Sequence, residues 1–79
     1  MLSIFTRKIL VGEIYMDGTI RTNISLGLHV AIILKKDQKT GKLTRGIVQR
    51  ILTNSRTHPH GIKVRLESGE IGRVKEILD

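Results

Sequence analysis

A chain of 79 residues makes one small domain and excludes a second domain, a large enclosed pocket and most cofactor folds. Hydrophobic residues are 39% and charged residues 27% of the chain, a globular balance, and with no cysteine there is no disulfide framework, thiolate zinc site or thiol nucleophile. Fourteen Lys and Arg against seven Asp and Glu give +7, a charge that attracts polyanions.

Residues 1–25 read as an N-terminal extension and lead-in ahead of a barrel domain at 26–79. The extension holds both aromatic residues, Phe5 and Tyr15. Leu2, Phe5, Ile9 and Leu10 fall on one side of a helical stretch that Ile4 and Val11 interrupt. Arg7 and Lys8 break the apolar stretch a signal peptide needs. No run of about 18 apolar residues follows, so no membrane partner is expected and the chain is expected in the cytoplasm. Met16-Asp17-Gly18 reads as a turn and Thr22 to Ser25 as a polar lead-in.

From Leu26 the patterning becomes regular. Leu28, Val30, Ile32 and Leu34 alternate with His29, Ala31, Ile33 and Lys35, the period of a strand. Thr40-Gly41 marks a turn, and a second strand rich in β-branched residues runs from Leu43 to Leu52. Thr53 to Gly61 is a polar loop with the single proline, Pro59. Ile62, Val64 and Leu66 then alternate with Lys63, Arg65 and Glu67. A short connection, Glu67-Ser68-Gly69-Glu70, leads into a last strand. The reading is two hairpins, 28–35 with 43–52 and 62–67 with 70–77.

The hairpins resemble each other. Gly46-Ile47-Val48-Gln49-Arg50-Ile51-Leu52 matches Gly72-Arg73-Val74-Lys75-Glu76-Ile77-Leu78 at Gly, Val, Ile and Leu. Leu28-His29-Val30-Ala31-Ile32 matches Ile62-Lys63-Val64-Arg65-Leu66 upstream. One ribbon cannot bury its apolar face, but two packed together can. In the second strand of each half Val and Ile stand three apart, which predicts a bulge or tight turn, and Gly46 and Gly72 suit bends. Val30, Ile32, Val48, Ile51, Val64, Leu66, Val74 and Ile77 are the expected core.

Between Lys35 and Arg65 nine basic residues face one acid, Asp37, a local charge of +8. From residue 16 onward there is no Phe, Tyr or Trp, so aromatic platforms for unstacked bases are missing there. Phosphate contacts to structured RNA suit this composition better than base reading. The residues expected to make them are Lys39, Lys42, Arg45, Arg56, Lys63 and Arg65.

Other chemistry has less support. His58 and His60, two apart in an extended segment, face the same way and are weak candidates for a metal. Further ligands would have to come from His29 or an acid such as Asp37. The stretch reads better as a turn shaped by Pro59 and Gly61, and no metal or other cofactor is expected. No pair of carboxylates has the spacing of an acid–base couple. Gly41-Lys42-Leu43-Thr44 lacks the earlier glycine and the hydroxyl after Lys of a phosphate-binding loop. No catalytic residue is expected, and the chain reads as a non-enzyme.

Asp37-Gln38-Lys39-Thr40-Gly41-Lys42-Leu43-Thr44-Arg45-Gly46, His58-Pro59-His60-Gly61-Ile62-Lys63-Val64-Arg65-Leu66 and Gly69-Glu70-Ile71-Gly72-Arg73-Val74 together resemble the YwbE-like family of short bacterial proteins. The resemblance covers about residues 16–78. It implies a small SH3-like barrel similar to the KOW modules of ribosomal and transcription proteins, and it implies no activity. Residues 1–15 have no counterpart in it, which marks a variable N-terminal extension. The expected fold is thus all-β, an SH3-like (KOW-like) barrel of two similar hairpins. The expected function is a nucleic-acid-binding module for RNA or a ribonucleoprotein. The alternative is a non-enzymatic protein–protein interaction module that uses a strand edge or the long loop.

Overall fold

A computed structural model of the chain describes residues 17–78. The helical stretch expected near the start, with Phe5 and Tyr15, lies outside the described residues. Four strands follow one another: β1 (His29–Leu34), β2 (Thr44–Ile51), β3 (Lys63–Leu66) and β4 (Ile71–Ile77). They pair antiparallel in that order, and β4 pairs back onto β1 to close the barrel. Two short 3-10 turns, Arg21–Asn23 and Lys35–Asp37, complete the regular structure. The fold is the expected all-β, SH3-like barrel, with each strand within two residues of its expected bounds.

The register shows the sequence repeat to be a structural one. Within the first hairpin Val30 lies opposite Gly46 and His29 opposite Ile47; within the second, Val64 lies opposite Gly72 and Lys63 opposite Arg73. Between the hairpins, Ile32 faces Val74 and Val30 faces Ile77, while Leu66 faces Val48 and Val64 faces Ile51. Each of these pairs maps onto its counterpart when the halves are exchanged. The halves are therefore related by a pseudo-twofold.

Both expected irregularities are bulges. On β4, Glu76 and Val74 face the adjacent residues Ala31 and Ile32, which leaves Lys75 as the extra residue. On β2, Arg50 and Val48 face the adjacent residues Arg65 and Leu66, which leaves Gln49. These positions are equivalent in the repeat. A bulge bends its strand and increases local twist, and two of them let four short strands close a ring.

Val30, Ile32, Val48, Val64, Leu66 and Val74 fill the interior as the alternation predicts. Ile51 and Ile77 are only partly buried: they lie beyond the two bulges, at the strand ends, and pack against the core from its margin. Ile62 and Ile24 join the buried cluster. Ile62, just before β3, takes part in the ring by accepting from the Val74 N–H at 2.9 Å and donating to the Gly18 carbonyl at 2.9 Å. The lead-in lies along the long loop between β2 and β3. Arg21 N–H donates to the Arg56 carbonyl at 2.7 Å, His58 N–H to the Thr19 carbonyl at 2.9 Å, and Ile20 bridges to Thr57. This path buries Ile24 at the end of the barrel.

Closure also depends on missing side chains. A Cβ on Gly46 would stand 2.7 Å from Leu66 Cδ1, and one on Gly72 would stand 2.5 Å from the Ile33 carbonyl oxygen. Leu66 is fully buried. Truncating such a residue costs about 2–5 kcal/mol, most of the stability of so small a domain. Leu66→Ala should therefore lose its cooperative thermal transition by circular dichroism. Gly72→Ala should lose about 1–3 kcal/mol, because β1 backbone must shift to admit the methyl. Wild-type melting of either variant would show that the inner face has been misassigned.

Candidate nucleic-acid interface

The structure distributes the six expected cationic residues over three places. Lys39 and Lys42 are exposed in the connection 35–43, where Gly41 takes φ +76 and donates to the Asp37 carbonyl at 2.8 Å. Arg45 is exposed on β2, opposite the small buried residue Ala31. Arg56 lies in the connection 52–62, which leaves the barrel from the opposite end to 35–43 in this antiparallel order. Lys63 and Arg65 project outward from β3, whose burial alternates exposed, buried, exposed, buried.

Lys63 and Arg65 have company that alternation within one strand does not show. Arg50 on β2 lies directly opposite Arg65, and Arg73 on β4 lies directly opposite Lys63. One outward face, centred on β3, thus carries Arg50, Lys63, Arg65 and Arg73. Among the described residues no carboxylate forms an ion pair with any of them. Like charges directly opposite on a sheet destabilise it. A shallow groove at the edge of this face is lined by Leu26, Gln49, Arg50 and Arg65.

Arg50 and Arg73 are absent from the six residues taken from sequence. A signal was present for Arg73: its counterpart in the repeat is Ile47, so the second half replaces an apolar outward residue with a cation. Arg21 is a further addition. Its Nε donates to the Thr53 carbonyl at 2.7 Å, and Thr53 Oγ1 accepts from the Lys63 N–H at 2.7 Å. Thr53 is buried, so the base of β3 is tied to the lead-in.

The His58-Pro59-His60-Gly61 segment is a tight turn. Gly61 N–H donates to the His58 carbonyl at 3.0 Å, and His60 N–H donates to His58 Nδ1 at 3.1 Å. An imidazole here does what Asn or Asp does at the first position of such turns. Because Nδ1 accepts, the neutral ring carries its proton on Nε2. The two imidazole rings lie 5.8 Å apart. Among the described residues no group of three His, Cys, Asp or Glu side chains gathers to hold a metal ion. Arg73 Nη1 donates to the Gly61 carbonyl at 3.2 Å and fixes the guanidinium beside the turn.

Partial burial lowers the His58 pKa, and the positive charge of Arg73 and then of His60 lowers it further. The Asp17 carboxyl is held below its usual range by the Thr19 hydroxyl and then by the Thr19 N–H, both donating to Oδ1, at 2.7 and 2.8 Å.

Comparison with known proteins adds a family. The model of a family described as "Uncharacterized conserved protein (DUF2196)" matches residues 17–77, which span both hairpins, the bulges and the turn. The chain belongs to the DUF2196 family. It is also similar to a Bacillus subtilis (strain 168) protein described as "Uncharacterized protein YwbE", with 65% identity over 63 residues, 80% of this chain and 97% of that protein. No solved structure matches.

The DUF2196 match includes His58, and the turn gives that residue a measurable signature. Protonation would place a hydrogen on Nδ1, the atom that accepts from His60, so the folded chain binds this proton less well than the unfolded chain. The stabilisation is then complete above the ordinary imidazole value of 6.5 and is lost as pH falls through the lower folded value. Asp17 acts in a separate, more acidic window. The thermal midpoint should fall between about pH 7 and pH 5. His58→Asn should flatten this fall, because the amide oxygen accepts the same N–H without titrating. An unchanged profile in His58→Asn would assign the dependence to another group.

Proposed function

We propose that this protein binds structured RNA in the cytoplasm, without catalysis, through phosphate contacts to the basic face centred on β3. The observation that carries the reading is the opposition of Arg50 to Arg65 and of Lys63 to Arg73. Two cation pairs set side by side without carboxylate partners among the described residues cost stability that a row of phosphates offsets. Lys39, Lys42 and Arg45 extend the positive surface toward one end of the barrel, and Arg56 toward the other.

Two further features support this reading. Residues 17–78 contain no Phe, Tyr or Trp, so the barrel offers guanidinium planes and ammonium groups rather than stacking platforms. That chemistry favours the backbone of a folded RNA over its unstacked bases. Every strand has a neighbour on both sides, so the barrel has no open edge for an added strand, which weighs against the protein-interaction alternative in its strand-edge form. No helix among the described residues is long and apolar enough to cross a membrane.

Each phosphate contact releases condensed counterions, so log K should fall with log salt by about 0.7–0.9 per contact. Replacing Lys63 and Arg65 together by Gln should weaken binding to a hairpin RNA and make that slope shallower by about 1–2. The fold should persist, because both side chains are exposed. Titrations of the wild type and the double variant at several salt concentrations test this. Absence of binding at low salt, or binding indifferent to salt, removes the RNA reading.

A further inference from the structure

A second cationic feature adjoins the β3 face and shares Arg73 with it. A cleft of about 620 Å³ runs between the 58–61 turn and β4. Gly18, Gly61 and Val74 in its lining are packed without room for a side chain between them: a Cβ on Gly61 would stand 2.3 Å from the Val74 carbonyl oxygen, and one on Gly18 would stand 2.8 Å from Val74 Cγ1. Around them stand His58, His60, Arg73 and Lys75, with Asp17 as the one carboxylate in the lining. Asp17 Oδ1 is already taken by two donations from Thr19. Neither Arg73 nor Lys75 has a carboxylate partner among the described residues.

The donors are held rather than merely present. Arg73 is anchored through Nη1 to the Gly61 carbonyl, which leaves its other N–H groups for a ligand. The His58 tautomer is set by its acceptance from the His60 N–H, so its remaining ring nitrogen is a donor without any need for protonation. Lys75 is the extra residue of the β4 bulge, a position that re-aims a side chain away from the ladder. A fixed guanidinium, an ammonium and a neutral imidazole N–H around one opening are the donor set for a compact, multiply charged oxyanion.

We infer that this cleft is a binding site for a phosphate group, either the terminal phosphate of a nucleic acid or that of a free phosphomonoester. The site shares Arg73 with the β3 face but draws its other donors, His58 and Lys75, from outside it, and the two are probed with different ligands. The His58 pKa is lowered first by desolvation and then by the positive charges of Arg73 and His60, two of the groups that line the cleft. A bound phosphate should raise the His58 pKa by offsetting the positive charge around it, where Asp17, His60, Arg73 and Lys75 are the charged or titratable groups in the lining.

The test titrates inorganic phosphate into the full-length protein at constant ionic strength, followed by NMR of the backbone amides and histidine rings. Saturable shifts should appear at Gly61, Arg73, Lys75, His58 and His60, with the His58 titration moving to higher pH. Arg73→Gln should weaken binding by about tenfold or more, the scale of one charge-assisted bidentate contact. Because Arg73 also holds Gly61, Lys75→Gln on the exposed bulge serves as the second variant, with an expected loss of about threefold or more. An oligonucleotide with a 5′-phosphate that binds more tightly than its 5′-hydroxyl twin, and shifts the same resonances, assigns the site to chain ends. Equal binding of the two, with a nucleoside monophosphate saturating the cleft, assigns it to free phosphomonoesters. Shifts that grow linearly without saturation, or that persist unchanged in Lys75→Gln and Arg73→Gln, overturn the site. Phosphate saturation without RNA binding would remove only the reading of the β3 face, and RNA binding without phosphate saturation would remove only the cleft.

Discussion

The barrel exists because two glycines let its halves interlock. Four strands enclose a narrow interior, and backbone must come within van der Waals contact of residues on the neighbouring strand. Gly46 of the first hairpin makes room for Leu66 of the second, and Gly72 of the second makes room for Ile32 and the Ile33 carbonyl of the first. Each hairpin therefore carries the vacancy that the other one fills. The bulges at Gln49 and Lys75 supply the bend that brings vacancy and filler together. A side chain at either glycine would push the paired strands apart at that seam and strain the packed core.

Much of this architecture was legible in the residues. Alternation marked the strands, the three-residue step from Val48 to Ile51 and from Val74 to Ile77 marked the bulges, and the repeat marked Gly46 and Gly72. Ile24 was not legible, because it stands alone in a polar lead-in and is buried only by the path of that segment over the end of the barrel. Ala31, on the outward phase of β1, is buried between Arg45 and Glu76, its neighbours on either side. The candidate site was half legible. Lys63 and Arg65 follow from alternation within a single strand, whereas Arg50 and Arg73 join them only once the register across the bulges is known. The role of His58 Nδ1 was hidden as well, since a histidine at the start of a turn gives no sign of which nitrogen accepts.

The pseudo-twofold sharpens the contrast between the two outer faces. Equivalent backbone positions carry His29 and Lys63, Ala31 and Arg65, Ile47 and Arg73. A scaffold that repeats itself offers the same placements twice, and this chain has filled one set with cations and the other with the small, apolar, weakly basic or acidic side chains of Ala31, Ile47, His29 and Glu76. Charge is thus concentrated by side-chain choice and not by any difference in fold, in keeping with the rule that function resides in sites set on a common frame. The arrangement also spares the apolar half the repulsion that the basic half bears.

The unequal connections give the two equivalent hairpins different roles in reaching this structure. Four residues, 67–70, join β3 to β4, whereas nine, 35–43, join β1 to β2. Loop-closure entropy alone favours the shorter connection by about 0.7 kcal/mol. The 67–70 turn is already tied, with Leu66 and Gly69 donating to the Glu70 and Leu66 carbonyls, both at 2.8 Å. The second hairpin is accordingly the better nucleus, a local ribbon against which the first can dock. One of the four strand pairings, β1 with β4, joins residues about 40 apart in the chain and must await that docking. A symmetric barrel is therefore assembled by an asymmetric route, set by its turns rather than by its strands.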